Sequence, residues 1–187
     1  MVILRPTRKL NSWLPGTGAA QSSSDTALGD WYVNRIVLAR RPLLLLVSSA
    51  SLLPMLLPAR DVRGLPDRLG ALVEARLRRC GIDARAIEAE LRAMTPVVVG
   101  PTVDRSVLGI MVDFAKAVPY HLEPGNWDER TLRLVEDRLA ETPCHAARSS
   151  DRVIFPERKA PELLHTKWLA NISLQPTAAG GIMSRRG

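Results

Sequence analysis

The chain has 187 residues, 46% of them hydrophobic, which is enough for one domain with a core and short for two. Only 4% are aromatic, so the core must be built from aliphatic side chains, with four tryptophans as rare large pieces. The formal charge of +7 and a pI near 10.2 favour a polyanionic partner through counterion release, but the basic residues are scattered and mostly arginine, so a nucleic-acid partner and a merely basic surface both fit.

MVILRPTRKLNSWLPG is interrupted by polar residues from Arg5 onward and lacks the apolar stretch of a signal peptide. Cys80 and Cys144 form no CxxC pair, and with three scattered histidines they make no metal-ligand set. A cytoplasmic protein with free thiols is expected, with no metal and no cofactor. Gly16-Thr17-Gly18 lies in a Ser-rich stretch, not between a strand and a helix. No GxGxxG, GxxxxGK[ST], HExxH or GxSxG motif occurs.

Residues 31–38, WYVNRIVL, have the β-branched and aromatic content of a strand. The run that follows, LLLLVSSASLLPMLL over 43–57, is 15 residues long, where a spanning helix needs about 20. Three serines and Pro54 interrupt it as well. No membrane segment is therefore expected. Residues 31–38 and 43–47 read as adjacent antiparallel strands reversing through Ala39-Arg40-Arg41-Pro42, since a proline at the start of a strand needs no ladder N–H. The second run is apolar on both faces, the pattern of a central strand covered on both sides.

The period then becomes helical. Residues 64–81 place Leu65, Leu69, Leu72, Val73 and Leu77 on one stripe, with Pro66 in the first turn and Gly81 as the stop. Asp83 is placed to cap a second helix carrying Ile87, Leu91 and Met94, which ends at Thr95-Pro96. A short strand is expected at Val97, Val98 and Val99, closed by Gly100-Pro101. Residues 103–118 predict a third helix capped by Asp104, with Val107, Leu108, Met111, Phe114 and Ala115 inward. A fourth opens at a capping box, Asn126-Trp127-Asp128-Glu129, and buries Leu132, Val135 and Leu139. Beyond Pro143 a short strand and a docking turn are expected, and SLQPTAAGGIMSRRG reads as a flexible, disordered tail.

LGDWYVN at 28–34, DRSVLGIMVD at 104–113 and FPERKAPELL at 155–164 together resemble a family of small, uncharacterised bacterial proteins carried as a domain of unknown function. The resemblance covers about residues 1–168. It implies an LGDW box with a nearby Asn and an Asn-Asp-Arg-Ser-Leu-Gly box with a later Asp; Val103 stands here where that first Asn would be. It implies no activity. The last 15 residues are separately similar to a segment that recurs at the C-termini of unrelated bacterial reading frames.

Two groups are candidates for a binding site. Asp30 and Asn34, two pleats apart, share one face of a strand beside Trp31, although Gly29-Asp30 as a turn and Trp31 as core account for the same letters. Asp104, Arg105 and Ser106, with the later Asp113, put an arginine and a hydroxyl at a helix N-terminus, where an anion binds or a cap suffices. Tyr120-His121 reads as a solvated turn. Cys144-His145 are neighbours that point apart and make a poor dyad. The expected architecture is a single α+β domain over residues 1–168, an antiparallel sheet with a layer of about four helices, followed by a tail over 169–187. The expected function is a non-enzymatic binding or regulatory module for a protein or nucleic-acid partner. The alternative is a small enzyme using Asp30, Asn34, Asp104 and Arg105 in one cleft.

Overall fold

The hairpin expected from the two apolar runs forms the middle of a five-stranded sheet. The computed structural model describes residues 1–14, 16, 24–60, 62–122, 128–145 and 153–170. The strands are β1 (Val2–Pro6), β2 (Trp31–Leu38), β3 (Arg41–Ser48), β4 (Pro54–Pro58) and β5 (Val97–Val99), in the spatial order β4-β3-β2-β1-β5. The helices are α1 (Leu65–Arg79), α2 (Ala84–Met94), α3 (Arg105–His121), α4 (Glu129–Ala140) and α5 (Pro156–Leu164), with a π-helical turn at His165–Leu169.

The class is α+β, but the sheet is mixed rather than antiparallel. β2, β3 and β4 form an antiparallel meander, whereas β1 pairs parallel to both β2 and β5. Local patterning could not reveal this. All five residues of β1 are buried, so the strand has no alternation, and its partner β5 lies far along the chain. The helical layer also has a fifth member, α5, where a short strand and a turn are expected; the strand is reduced to a single bridge between Cys144 and Ile154. Pro156 sits in the first turn of α5, where its missing N–H costs nothing. Tyr120 and His121 belong to the last turn of α3 rather than to a turn beyond it.

Helices cover both faces of the sheet. On one face Trp31, Val33, Leu44, Leu46 and Met55 pack against the stripes of α1, α2 and α5. On the other, Tyr32, Ile36, Leu43, Leu45 and Val47 pack against Val107, Met111 and Phe114 of α3 and Leu132, Val135 and Leu139 of α4. This two-sided burial is why β3 reads as a continuous apolar run. The caps follow the sequence. Gly81 has φ +70 and the Ile82 N–H reaches back to the Leu77 carbonyl, closing α1. Asp83, Asp104 and Asp128 cap α2, α3 and α4 through the N–H groups of Arg85, Ser106 and Thr131. Residues 17 and 18 of the Gly-Thr-Gly stretch, Asn126 and Trp127 of the expected capping box, and the expected tail from 171 onward lie outside the described residues.

The outer edge of β4 is closed to further strands. In an antiparallel ladder alternate residues point their backbone groups outward, and here the outward residues are Pro54, Leu56 and Pro58. The prolines have no N–H, and the Leu56 N–H donates to Glu136 Oε1 at 2.6 Å. Burial pushes the Glu136 carboxyl up, while the Leu56 N–H and Arg79 draw it down.

The entry to β2 is fixed by one carboxylate. Glu90 of α2, fully buried, accepts the N–H groups of Ala27 and Leu28 at 2.8 and 3.0 Å and the Trp168 indole N–H at 2.7 Å. Gly29 follows with φ +75, and a Cβ there would lie 2.3 Å from Ser49 Oγ, the atom that accepts the Asp30 N–H. The Gly of the LGDW box is thus required both by its backbone angle and by a close approach.

Glu90→Ala should cost about 3 kcal/mol or more, since it strands several inward N–H groups. Urea unfolding measures this, and a loss below about 1 kcal/mol would show that the donors find water instead. The β2–β3 turn offers the opposite sign. Ala39 and Arg40 sit at φ 45 and 65, both in the left-handed region that suits Asn-Gly. Ala39→Asn with Arg40→Gly should raise stability by about 0.5–1 kcal/mol in the same assay, and an unchanged midpoint would count against strain in this turn.

Candidate functional site

β1 and β5 run parallel, but the chain leaves them toward opposite faces. After β1 it turns through a short 3-10 segment, Arg8–Leu10, whose Leu10 enters the core beneath α1 and α2. After β5 it passes through Gly100, Pro101 and Thr102 into α3 on the other face. A crevice of about 590 Å³ opens where the two paths part, lined by Thr7, Arg8, Thr102, Val103, Arg105 and Leu108. Parallel sheets characteristically bind ligands at such a divergence, beyond the carboxyl ends of their strands.

Residues of both sequence boxes are tied by hydrogen bonds to the strand and the loop that border this crevice. Arg5 of β1, almost completely buried, donates from Nε to Asp30 Oδ2 and from Nη1 to the Pro101 carbonyl, so it ties the start of β2 to the loop before α3. Tyr32 lies on the same face, and its hydroxyl accepts the Asp104 N–H at 3.0 Å. Burial pushes the Tyr32 hydroxyl up, with the Asp104 N–H pulling against it. Thr7 donates to Asn34 Oδ1 at 2.9 Å. The Asp104 carboxylate accepts the Ser106 N–H and hydroxyl at 2.8 and 2.6 Å, and Arg105 stands exposed at the first turn of α3.

Asp30, Asn34, Asp104, Arg105 and Ser106 therefore gather in one region. Trp31 does not belong to it: the indole is buried on the opposite face, among the residues packed on α1 and α2. Asp113 does not either. It lies nine residues beyond Asp104, roughly 13 Å along the helix axis, exposed and 3.9 Å from Lys116. Arg5, Thr7, Arg8 and Tyr32 are participants that sequence reading missed. For Tyr32 the signal was available, since strand alternation places it on the face of Asp30 and Asn34. For Arg5 it was not, because β1 had to be known first.

The other pairs give nothing comparable. Tyr120 and His121 are exposed at the end of α3. Cys144 is buried and its thiol, pushed up to about 11 by burial, points to the Thr142 carbonyl, while His145 is exposed. Among the described residues no group of three or more His, Cys, Asp or Glu side chains could hold a metal ion, and no helix is long and apolar enough to cross a membrane.

The two aspartates differ in what their loss exposes. Asp30→Ala leaves a buried guanidinium without its carboxylate and should cost about 3–5 kcal/mol. Asp104→Ala removes a helix cap and should cost about 1 kcal/mol. Chemical denaturation of the two variants checks the order, and equal losses would contradict the Arg5 linkage.

No curated protein and no solved structure matches the chain. A family model does match, over residues 3–159, and its span includes the crevice, both boxes and the helices that carry them. The chain belongs to that family, DUF6933, described as a domain of unknown function.

Proposed function

We propose that the protein is a non-enzymatic binding module of the cytoplasm, and that the crevice above β1 and β5 receives an anionic group of its partner. One observation carries the reading: the two parallel strands part at a crevice lined by Arg8 and Arg105 together with Thr7 and Thr102. The formal charge of +7 supports an anionic partner, and the two free cysteines suit a reducing compartment.

The enzymatic alternative draws on the same residues, but most of their polar groups are engaged within the fold. Asp30 is held by Arg5, Asn34 accepts from Thr7, and Asp104 caps α3. A general acid or base must be able to exchange its proton with a substrate, and these side chains instead hold the local fold together. Arg105 is the exposed member of the set, and an exposed guanidinium serves binding.

Inorganic phosphate is the simplest probe. At about ten times its Kd it should stabilise the protein by about 1.4 kcal/mol, a rise of a few degrees in Tm. Sodium chloride at equal ionic strength should not reproduce the rise, and Arg8→Ala with Arg105→Ala should abolish it. An identical phosphate response in the double variant, or one that chloride matches, would defeat the assignment.

A further inference from the structure

A second concavity lies at the opposite edge of the sheet. α1 and α4, packed on different faces, both overhang the edge strand β4, and the cleft between them holds about 430 Å³. That is within the range of small-molecule sites. Its floor is Met55, Leu56 and Leu57 of the strand, and its walls carry Leu72 and Ala75 of α1 and Leu132 of α4. Leu72 is part of the apolar stripe of α1, yet it remains only half-buried, at the margin where the helix overhangs the cleft.

We propose that this cleft is a second ligand site, for an organic carboxylate with an apolar body. The apolar floor provides for the hydrocarbon. The rim provides for the charge: Arg68 of α1, Arg133 of α4 and Arg60 just beyond β4 border the cleft from three sides. Five arginines and three acids line it, and one of the arginines, Arg76, is buried and held by Asp137 just outside, so the formal excess is one positive charge. The acids are turned to partners of their own. Asp128 caps α4, Glu136 accepts the Leu56 N–H and pairs with Arg79, and Glu129 takes Nη2 of Arg133, so a ligand carboxylate would share that arginine with Glu129.

The edge strand also argues against an extended peptide as occupant. A peptide added to β4 would need donors for its carbonyls, and the outward residues Pro54, Leu56 and Pro58 have none to give. A ligand that needs apolar contact and one charged anchor has no such requirement. Guanidinium groups match the two oxygens of a carboxylate, so anchoring by one or two of the rim arginines is sufficient.

Decanoate tests the assignment by isothermal titration calorimetry of the full chain. Saturable binding is expected, with decanol, which keeps the hydrocarbon and lacks the charge, binding at least about tenfold more weakly. Arg68→Glu with Arg133→Glu should weaken decanoate by about tenfold or more. Ala75→Phe, an exposed helix position, should block the cleft without touching the core and abolish binding. Arg8→Ala with Arg105→Ala should leave decanoate binding unchanged, separating this site from the crevice at β1 and β5. The absence of saturable binding, decanol binding as tightly as decanoate, or wild-type affinity in the Ala75→Phe variant would each overturn the proposal.

Discussion

The Glu90 carboxylate is the constraint from which the upper half of the structure follows. A fully buried carboxylate is tolerable only where hydrogen bonds replace its water, and here three donors come from two separate segments: the backbone at Ala27 and Leu28, and the Trp168 indole. Satisfying one side chain therefore fixes the loop that enters β2 and the turn that follows α5 at the same point on α2. Lys167 adds to the same junction through the Thr26 carbonyl. With that loop fixed, Gly29 turns under Ser49, Asp30 meets Arg5, and Tyr32 is carried to the foot of α3.

What could be read from the sequence was whatever depended on neighbours along the chain. The β2–β3 hairpin, the α1–α2 pair and the caps at Asp83 and Asp104 are local, and each rests on a periodicity or a hydrogen bond spanning a few residues. β1 depends on pairing with residues 31–33 and 97–99, so nothing within VILRP announces its place. The same limit applied to the site. Asp104 was legible as a cap and acts as one, whereas Asp30, legible only as part of a turn, spends its carboxylate on Arg5 of another strand. Their meeting was not legible, because it runs through Arg5 and Tyr32, whose roles exist only once the parallel strands are side by side.

The arginine content has a similar double meaning. Arg5 and Arg76 are nearly inaccessible, and Arg76 is tied to Asp137 and to the Glu136 carbonyl. Arg79 joins the same acidic pair, so α1 and α4, on opposite faces, are linked across the sheet edge by charge. A buried cation of this kind belongs to the fold, and it contributes nothing to the field that a distant partner would sense. The basic character available to solvent is carried by residues such as Arg8, Arg60 and Arg105 at the rims of the two concavities.

The donorless edge of β4 has a consequence for how copies of this chain meet one another. A strand laid against it would find carbonyls to bind but no N–H groups to answer its own, so about half of each ladder repeat would be lost. The opposite edge is β5, only three residues long, which is too short to template an extended pairing. A sheet with so many leucines at its centre would otherwise be prone to grow into a fibril. Here its width is set at five strands by two prolines and one glutamate on one side, and by brevity on the other.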